Sequence, residues 1–234
     1  MTQCLTVVRP GMLTTIQDLG RWGFQASGVP VAGPMDAYSH ALANQLVGND
    51  PSAAAIEVTV IGPELQGTGE VVCAVAGATF ALTAGDVGMP MHVAFTLRPG
   101  ERLKFGTRSA GSRATLAVRG GIDVPSVFES RATSLVSRMG PFGGRALKAG
   151  DVLPVGPVTA PATPVGAGQP GAPLPLPAGG ARLRVLVGPQ EPFFTPAAYQ
   201  TLFGSRYIIT PASNRMGYRL AGAPLEHAGR ADIL

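Results

Sequence analysis

The chain has 234 residues, of which 45% are hydrophobic and only 14% are charged, with a formal net charge of +4. This length supports one large domain or two small domains with cores of their own. The basic residues are scattered among apolar ones and form no basic run with interleaved aromatics, which argues against nucleic-acid binding. The 32 glycines and 22 prolines favour many short strands joined by turns.

The cysteines and histidines indicate neither a disulfide framework nor a metal site. Cys4 and Cys73 are the only cysteines and form no metal-ligand spacing, and His40, His92 and His227 form no paired-ligand motif. Two cysteines without a disulfide framework favour a reducing compartment. The N-terminus lacks the pattern of a signal peptide, and no apolar run approaches the ~18 residues that a membrane span needs. We therefore predict a cytoplasmic protein without a metal site.

In chain order, a first strand is predicted at 5–8, and a polar, glycine-punctuated loop starts at Leu13. This loop leads into a helix. Pro34 suits the first helical turn, Asp36 would face the positive end of the helix dipole, and Gly48 can end the helix. A long irregular loop running into a capped helix is where a compact domain usually places its chemistry.

From residue 54 onward the pattern is β. Strands are predicted at 54–60, 71–76, 79–83, 91–97, 101–105, 114–118 and 151–155. Pro99-Gly100 favours a tight turn that pairs 91–97 with 101–105, and a short helix is predicted at 124–128. Short strands at this spacing predict a mainly β barrel or sandwich with a few short helices.

The composition changes abruptly after residue 157. We predict an N-terminal β domain at 1–157 with the polar loop and helix, a Pro/Gly/Ala-rich linker at 158–180, and an incomplete second β-barrel domain at 181–234. A G-x-G-x-x-G match at 166–171 has proline-rich flanks, which exclude the strand and helix that a dinucleotide site needs. Beyond the linker we predict a strand at 182–187 and a helix that starts at Thr195-Pro196.

Two glycine-bearing loops carry polar side chains that could perform chemistry. The candidates are Gln17, Asp18 and Asp36 in the first loop, and Asn214, Arg215 and Tyr218 in the second. Carboxylates and an amide suit a polar substrate or a water, and a guanidinium suits a carboxylate or phosphate. The alternative is structural: the two aspartates cap a turn and a helix, and the arginine forms a salt bridge. The residues alone favour this structural interpretation and name no reaction.

The motifs nevertheless resemble one family. LTTIQDLGRWGFQASGVPVAGPMD, followed by ALANQLVGN and IEVTVIGP, resembles the opening of the 5-oxoprolinase C-subunit family, also called KipA-like, allophanate hydrolase subunit 2 or the biotin-dependent carboxyltransferase domain family. The resemblance continues through LRPGERLKFG, LAVRGGIDVP, GGRALKAGDVLP and SNRMGYRLAG. Val31-Ala32 stand where the family usually has Pro-Ser, and Glu129 replaces a usual glycine. The family's later QVP and TTGGYP segments are not found, so we expect a C-terminally truncated second barrel.

The resemblance implies cyclophilin-like β-barrels and a subunit that works beside two partners, one KipI-like and one LamB/YcsF-like. Such a complex uses ATP to open the lactam of 5-oxo-L-proline to L-glutamate. A lactam resists water, and phosphorylation of its carbonyl oxygen makes it electrophilic. On this basis ATP is shared with the partner proteins; the predicted catalytic residues are Asp18, Asp36 and Arg215, and the predicted substrate-binding residues are Gln17, Asn214 and Tyr218.

Three other interpretations remain open within the family. The chain could be a carboxyltransferase component that acts on carboxybiotin, as in urea carboxylase; it has no Met-Lys-Met acceptor, so biotin would come from another chain. It could be a non-catalytic KipA-like protein that binds a KipI-like kinase inhibitor. Without the family's C-terminal segments, the isolated chain could also be inactive.

Overall fold

A computed structural model describes residues 3–158 and 183–229 of the chain. The chain divides into two compact units, Met1–Ala178 and Gly179–Leu234. The predicted linker, with the G-x-G-x-x-G match at 166–171, lies outside the described residues except for Val158, as does segment 230–234. The domain boundaries predicted at the two ends of that linker therefore stay predictions.

The first unit contains one nine-stranded sheet. Its strands are β1 (Cys4–Arg9), β2 (Leu13–Gln17), β3 (Ala55–Thr59), β4 (Glu64–Gly67), β5 (Val71–Ala84), β6 (Val87–Met89), β7 (Phe95–Leu97), β8 (Arg102–Val118) and β9 (Val152–Pro154). The main path runs β2-β3-β8-β4-β1-β9, and β5 pairs with β6, β7 and β8. Because different stretches of β8 pair antiparallel with β3, β4 and β5, the sheet curls around its core. The mainly β prediction is confirmed.

Strand β5 is longer than predicted because a glycine bends it without ending it. Gly77 separates the strands predicted at 71–76 and 79–83, yet β5 runs through it. The Gly77 φ of +105° and a register shift against β8 between Gly77 and Thr79 indicate a bulge. A Cβ at Gly77 would lie 2.6 Å from the Arg113 carbonyl oxygen, so the close approach of β8 requires glycine.

Three local predictions are wrong. β7 pairs with β5 through Val71 and Leu97, so the predicted hairpin between 91–97 and 101–105 does not form. The predicted helix at 124–128 is a turn closed by a bridge between Val127 and Ser130, and the Phe128 φ of +50° is incompatible with a right-handed helix. Residues 183–187 form no strand, because no strand in the described part of the chain pairs with them and their alternating pattern gains no ladder hydrogen bonds.

Both faces of the sheet are covered at β3, β5 and β8. Ile56, Val75 and Leu116 point into the main core on one face. The other face carries small alanines, against which helix α1 (Ala37–Leu46) packs. Leu42 and Leu46 of α1 are buried there, and burial of such a side chain stabilises the fold by about 1.5–3 kcal/mol. The helix is therefore held by an alanine-rich surface that permits its close approach.

Strand β2 lies where the sequence predicted a loop. Its free edge is covered by later segments: Thr133 N–H donates to the Ile16 carbonyl at 2.9 Å, and Leu147 N–H donates to the Thr14 carbonyl at 2.9 Å. A single turn, α2 (Pro141–Gly144), lies within this covering segment. Chain segments from 130 to 147 thus bring their own polar groups to the end of β2.

The second unit contains helix α3 (Pro196–Gly204) and the two-stranded pair β10 (Ile208–Ile209) and β11 (Leu220–Ala221). The predicted helix start is confirmed, because the Thr195 hydroxyl accepts the Ala198 N–H at 3.2 Å as an N-cap. In the described parts of both units, no helix combines the length and apolar character required for a transmembrane span.

Candidate functional site

A group of polar side chains lies around the junction of β2 and α1. We call Gln17, Asp18, Arg21, His40 and Glu57 the polar centre. Gln17 and His40 are completely buried, and Arg21 and Glu57 are 1% and 2% exposed. Since Ile16 of β2 points into the main core, its neighbour Gln17 points to the opposite face of the sheet, where α1 packs. Strand alternation therefore creates this polar layer.

Both oxygens of the Asp18 carboxylate are engaged. Oδ1 accepts hydrogen bonds from Gly20 N–H at 2.9 Å and from the Ser130 hydroxyl at 2.6 Å. Oδ2 accepts the Arg131 N–H at 2.5 Å. Hydrogen bonds to an ionised carboxylate are short and strong. Asp18 therefore fastens the loop after β2 to segment 130–131.

Arg21 makes the reciprocal contacts. Its Nε donates to the Val127 carbonyl at 3.0 Å, and its Nη2 donates to the Ala132 carbonyl. Burial lowers the pKa of Arg21, and the nearby Asp18 charge opposes that shift. Nη1 is sealed from solvent and has no hydrogen-bond partner among the described residues. Arg21 and Asp18 together clamp segment 127–132 with opposite charges.

Gln17 and His40 each leave one buried polar atom unpaired. Gln17 Nε2 donates to the Thr15 hydroxyl at 2.9 Å and to the Thr133 carbonyl at 3.2 Å, but its Oε1 has no partner within the described chain. His40 Nε2 lies 3.3 Å from Asn44 Nδ2, and its Nδ1 is likewise unpaired. Burial lowers the pKa of His40, against the opposing effects of a hydrogen bond with the Ala53 backbone and the Asp18 charge. The ring is therefore neutral at pH 7.

Unpaired buried polar atoms are rare in folded proteins and often occur where a protein does chemistry. The polar centre holds three such atoms, Gln17 Oε1, Arg21 Nη1 and His40 Nδ1. Besides the carboxylates of Asp18 and Glu57, it contains a neutral imidazole that can accept a proton, and an amide and a guanidinium that can orient polar groups. Among the described residues, no group of three or more His, Cys, Asp or Glu side chains could hold a metal ion.

Asp36 caps helix α1. Its Oδ1 accepts the Ser39 N–H at 2.9 Å, and its Oδ2 accepts the Ser39 hydroxyl at 2.5 Å. The helix thus starts at Ala37, and Pro34 precedes it instead of occupying its first turn. The preceding residue is fixed as well, because Met35 N–H donates to Glu57 Oε2 at 2.6 Å. Asp36 and Glu57 therefore set the position at which the loop enters the helix.

The candidates of the second loop lie together in the second unit. Asn214 and Gly217 close a turn, within which the Asn214 side-chain oxygen accepts the Met216 N–H at 2.8 Å. Arg215 in this turn is half-buried, and Tyr218 directly after it is 64% exposed. The structure thus groups Gln17 with Asp18 in one unit, and Asn214 with Arg215 and Tyr218 in the other.

The sequence interpretation missed three members of the polar centre. Arg21 sits in the glycine-punctuated loop, and its only signal was that a large basic residue stands among glycines. Glu57 was detectable as a lone charge inside an apolar strand. His40 carried no signal beyond its position on the helix, because its burial depends on how α1 packs against the sheet.

Comparison with known proteins identifies the family. Residues 27–234 match the family described as carboxyltransferase domain, subdomain A and B. The chain belongs to this family. It is also similar to the C subunit of 5-oxoprolinase from Escherichia coli, at 35% identity over 231 residues that cover 98% of this chain and 72% of that protein. The resemblance found in the sequence is therefore confirmed.

Other carboxyltransferase-domain relatives are much longer enzymes. Urea amidolyase of Lachancea kluyveri is 39% identical over 227 residues, covering 92% of this chain but only 12% of that protein. The crystal structure of the Kluyveromyces lactis urea carboxylase superimposes with a TM-score of 0.80 at 33% identity, covering 97% of this chain and 21% of that one. The K. lactis urea amidolyase gives a TM-score of 0.81 at 34% identity, covering 97% and 14%. The chain thus spans a small part of these relatives, which are enzymes by name.

Proposed function

We propose that this chain is one component of an ATP-dependent amide hydrolase that opens the lactam of 5-oxo-L-proline to L-glutamate. The observation that carries the proposal is the match to the C subunit of the E. coli 5-oxoprolinase, which extends over 72% of that protein at 35% identity. The longer urea enzymes share only 12% of their length with this chain in the Lachancea case. A relative matched over most of its length is the better guide to function.

In this proposal the residues divide into two roles. Asp18 and Asp36 position the first loop, since their carboxylates are occupied by backbone and hydroxyl donors. Arg215, with Asn214 and Tyr218, supplies donors for the substrate carboxylate or for the negative charge that develops on the carbonyl oxygen. Gln17 is the first-loop candidate with a hydrogen-bond acceptor still available, because its Oε1 has no partner among residues 3–158 and 183–229.

The polar centre does not suit the triphosphate group of ATP. Asp18 would repel its phosphates, and two of the three nitrogens of the Arg21 guanidinium already donate to main-chain carbonyls. We therefore assign ATP binding to partner proteins, and we propose that these are one KipI-like and one LamB/YcsF-like protein.

The names of two relatives support an assembly of this kind. The E. coli and Haemophilus influenzae proteins are each named as the C subunit of a 5-oxoprolinase, which implies further subunits in those enzymes. We place the assembly in the cytoplasm, where Cys4 and Cys73 would stay reduced.

The proposal is tested by reconstitution. This chain is co-purified with the two proposed partners, and ATP hydrolysis is measured with 5-oxo-L-proline, with urea plus bicarbonate, and without substrate. We expect stimulation by 5-oxo-L-proline alone, and loss of that stimulation when this chain is omitted. Stimulation by urea alone, or none by either substrate, would overturn the assignment.

Carboxyl transfer is the second candidate function. It is favoured by the 39% identity to the Lachancea urea amidolyase and by the name of the family. Biotin would then be carried by another chain, and this chain would catalyse transfer of the carboxyl group from carboxybiotin to an acceptor such as urea, which leaves free biotin on its carrier. The distinguishing measurement is avidin sensitivity: avidin sequesters biotin, so it would abolish carboxyl transfer and leave lactam hydrolysis unchanged.

A further inference from the structure

A polar cavity lies in the first unit, at the C-terminal end of α1 and thus at the far end of the helix from Asp36. Its volume is about 360 Å³, which is within the range of small-molecule sites. Arg119 and Asp50 contribute opposite charges to its wall, and Ala53, Pro157 and Val158 contribute apolar surface. None of these residues belongs to the polar centre.

Arg119 brings an uncompensated charge to this cavity. Its main-chain N–H donates to the Val72 carbonyl at 2.9 Å, which fixes the residue directly after the end of β8. Its guanidinium makes no hydrogen bond or ion pair with any residue of the described chain, and its Nε is sealed from solvent. Arg131 and Arg145, by contrast, are paired with Asp123 and Asp151. A partly buried guanidinium without an anion is costly, which points to a ligand.

Asp50 supplies the complementary charge without neutralising Arg119. Its Oδ1 accepts the Ser52 N–H at 2.8 Å and the Ser52 hydroxyl at 2.5 Å. These hydrogen bonds lower the pKa of Asp50, so the carboxylate is ionised at neutral pH. Asp50 and Arg119 form no ion pair with each other although both line the cavity. Space for a ligand therefore remains between two opposite charges.

Part of the cavity wall is held in place by Asn49. Its Nδ2 donates to the Val118 carbonyl at 2.7 Å and to Asn44 Oδ1 at 3.0 Å, and its Oδ1 accepts the Gly120 N–H at 2.9 Å. Every polar atom of this side chain is used, so Asn49 orders the cavity and leaves recognition to Arg119 and Asp50. A preorganised wall lowers the entropic cost of binding.

We propose that this cavity binds a zwitterionic α-amino acid. The carboxylate of the ligand pairs with the Arg119 guanidinium, and its ammonium group pairs with the Asp50 carboxylate. The ligand side chain contacts the apolar wall at Ala53 and Val158. The site requires both charges of the ligand, which distinguishes it from a general anion site, and it is independent of the hydrolase proposal.

Calorimetric titration of the full chain with L-glutamate and N-acetyl-L-glutamate tests this site, because the second ligand keeps the carboxylates and lacks the ammonium. We expect L-glutamate to bind the unmodified chain at least about tenfold more tightly, the equivalent of one good ionic contact. Arg119→Gln should weaken L-glutamate binding by more than about tenfold. Asp50→Asn, which keeps the Oδ1 acceptor for Ser52, should abolish the preference for L-glutamate.

Lys104→Gln is the matched control, since it removes one positive charge from an exposed position on β8 away from the cavity. It should leave binding unchanged. Ala53→Leu fills the cavity and keeps both charges, so it should abolish binding even if Arg119→Gln fails to fold. Binding of L-glutamate to Ala53→Leu or Arg119→Gln with unchanged affinity would overturn the proposal. So would equal affinity for the two ligands, or no binding to the unmodified chain.

Discussion

The Asp18 carboxylate accepts the main-chain N–H of Arg131 at 2.5 Å, which joins two segments that are 113 residues apart in the chain. The same carboxylate binds the Ser130 hydroxyl, and Arg21 donates to carbonyls on both sides of that pair. The loop after β2 and segment 127–132 therefore form one structural element that is held by two charged side chains.

Replacing Asp18 by alanine should lower the free energy of unfolding by about 2–4 kcal/mol, because buried donors of segment 130–131 lose their acceptor. Urea unfolding followed by the fluorescence of Trp22, the only tryptophan, reports on this unit. The control is Asp86→Ala in the exposed turn between β5 and β6, which should change stability by less than about 0.5 kcal/mol. Equal effects of the two substitutions would contradict the clamp.

Glu129→Gly should stabilise the chain. Glu129 is exposed and has a φ of +60°, a conformation that costs a residue with a Cβ about 1–2 kcal/mol. Glycine offsets part of this gain through its greater freedom in the unfolded chain, so we expect a net gain of about 0.5–1 kcal/mol. The matched variant Glu129→Ala removes the same charge but keeps a Cβ, and its melting temperature should not rise. A rise with alanine would show that charge, and not backbone strain, controls this position.

Stability should decrease as the pH falls below about 6.5, the ordinary pKa of histidine. Burial lowers the pKa of both His40 and His92 in the folded state. As the pH falls, the unfolded chain therefore binds protons at a higher pH than the folded chain does. The stability is fully present above that pH and is lost as the pH falls toward the lowered values. Urea midpoints measured between pH 7.5 and pH 5.5 should show this slope, and His40→Gln should reduce it. An unchanged slope in that variant would mean that His40 is not buried as a neutral ring.

The two thiols should react at very different rates with a thiol-specific disulfide reagent. Cys73 is completely buried, and burial raises its pKa to about 12, so almost no thiolate forms at pH 8. Cys4 is only half-buried and should react first. We expect one fast thiol in the folded chain and two after unfolding in urea, and Cys4→Ser should remove the fast phase. Two fast thiols in the folded chain would contradict the packing of β5.

Local chemistry made part of the fold predictable. The hydroxyl and proline at Thr195-Pro196 specify a helix start without any distant contact, and the structure has one there. Strand β2 was missed because Thr14, Thr15 and Gln17 are polar yet buried, and the segments that cover its other edge come more than 100 residues later. A polar strand that is covered on both faces has no signature in its own residues.

The candidate site, like the fold, was predictable from the sequence only where the contacts are local. Asp36 sits beside its own helix, so the structural alternative of a helix cap followed from the sequence and is what its contacts show. The partners of Asp18 at 130 and 131, and the burial of Arg21 and His40, depend on how the sheet closes. No local pattern encodes those contacts, so the grouping of Gln17 and Asp18 with Arg21 and His40 became visible only in the structure.

The most direct test of the proposed function follows the substrate itself. 5-Oxo-L-proline labelled with ¹³C at the lactam carbonyl is incubated with ATP and the mixture of this chain and its two proposed partners, and NMR records the conversion of the lactam carbonyl to the side-chain carboxylate of L-glutamate. We predict that L-glutamate appears only when this chain, both partners and ATP are all present. Formation of L-glutamate at the same rate without this chain, or no formation in the complete mixture, would contradict the assignment of this chain to the lactam hydrolase.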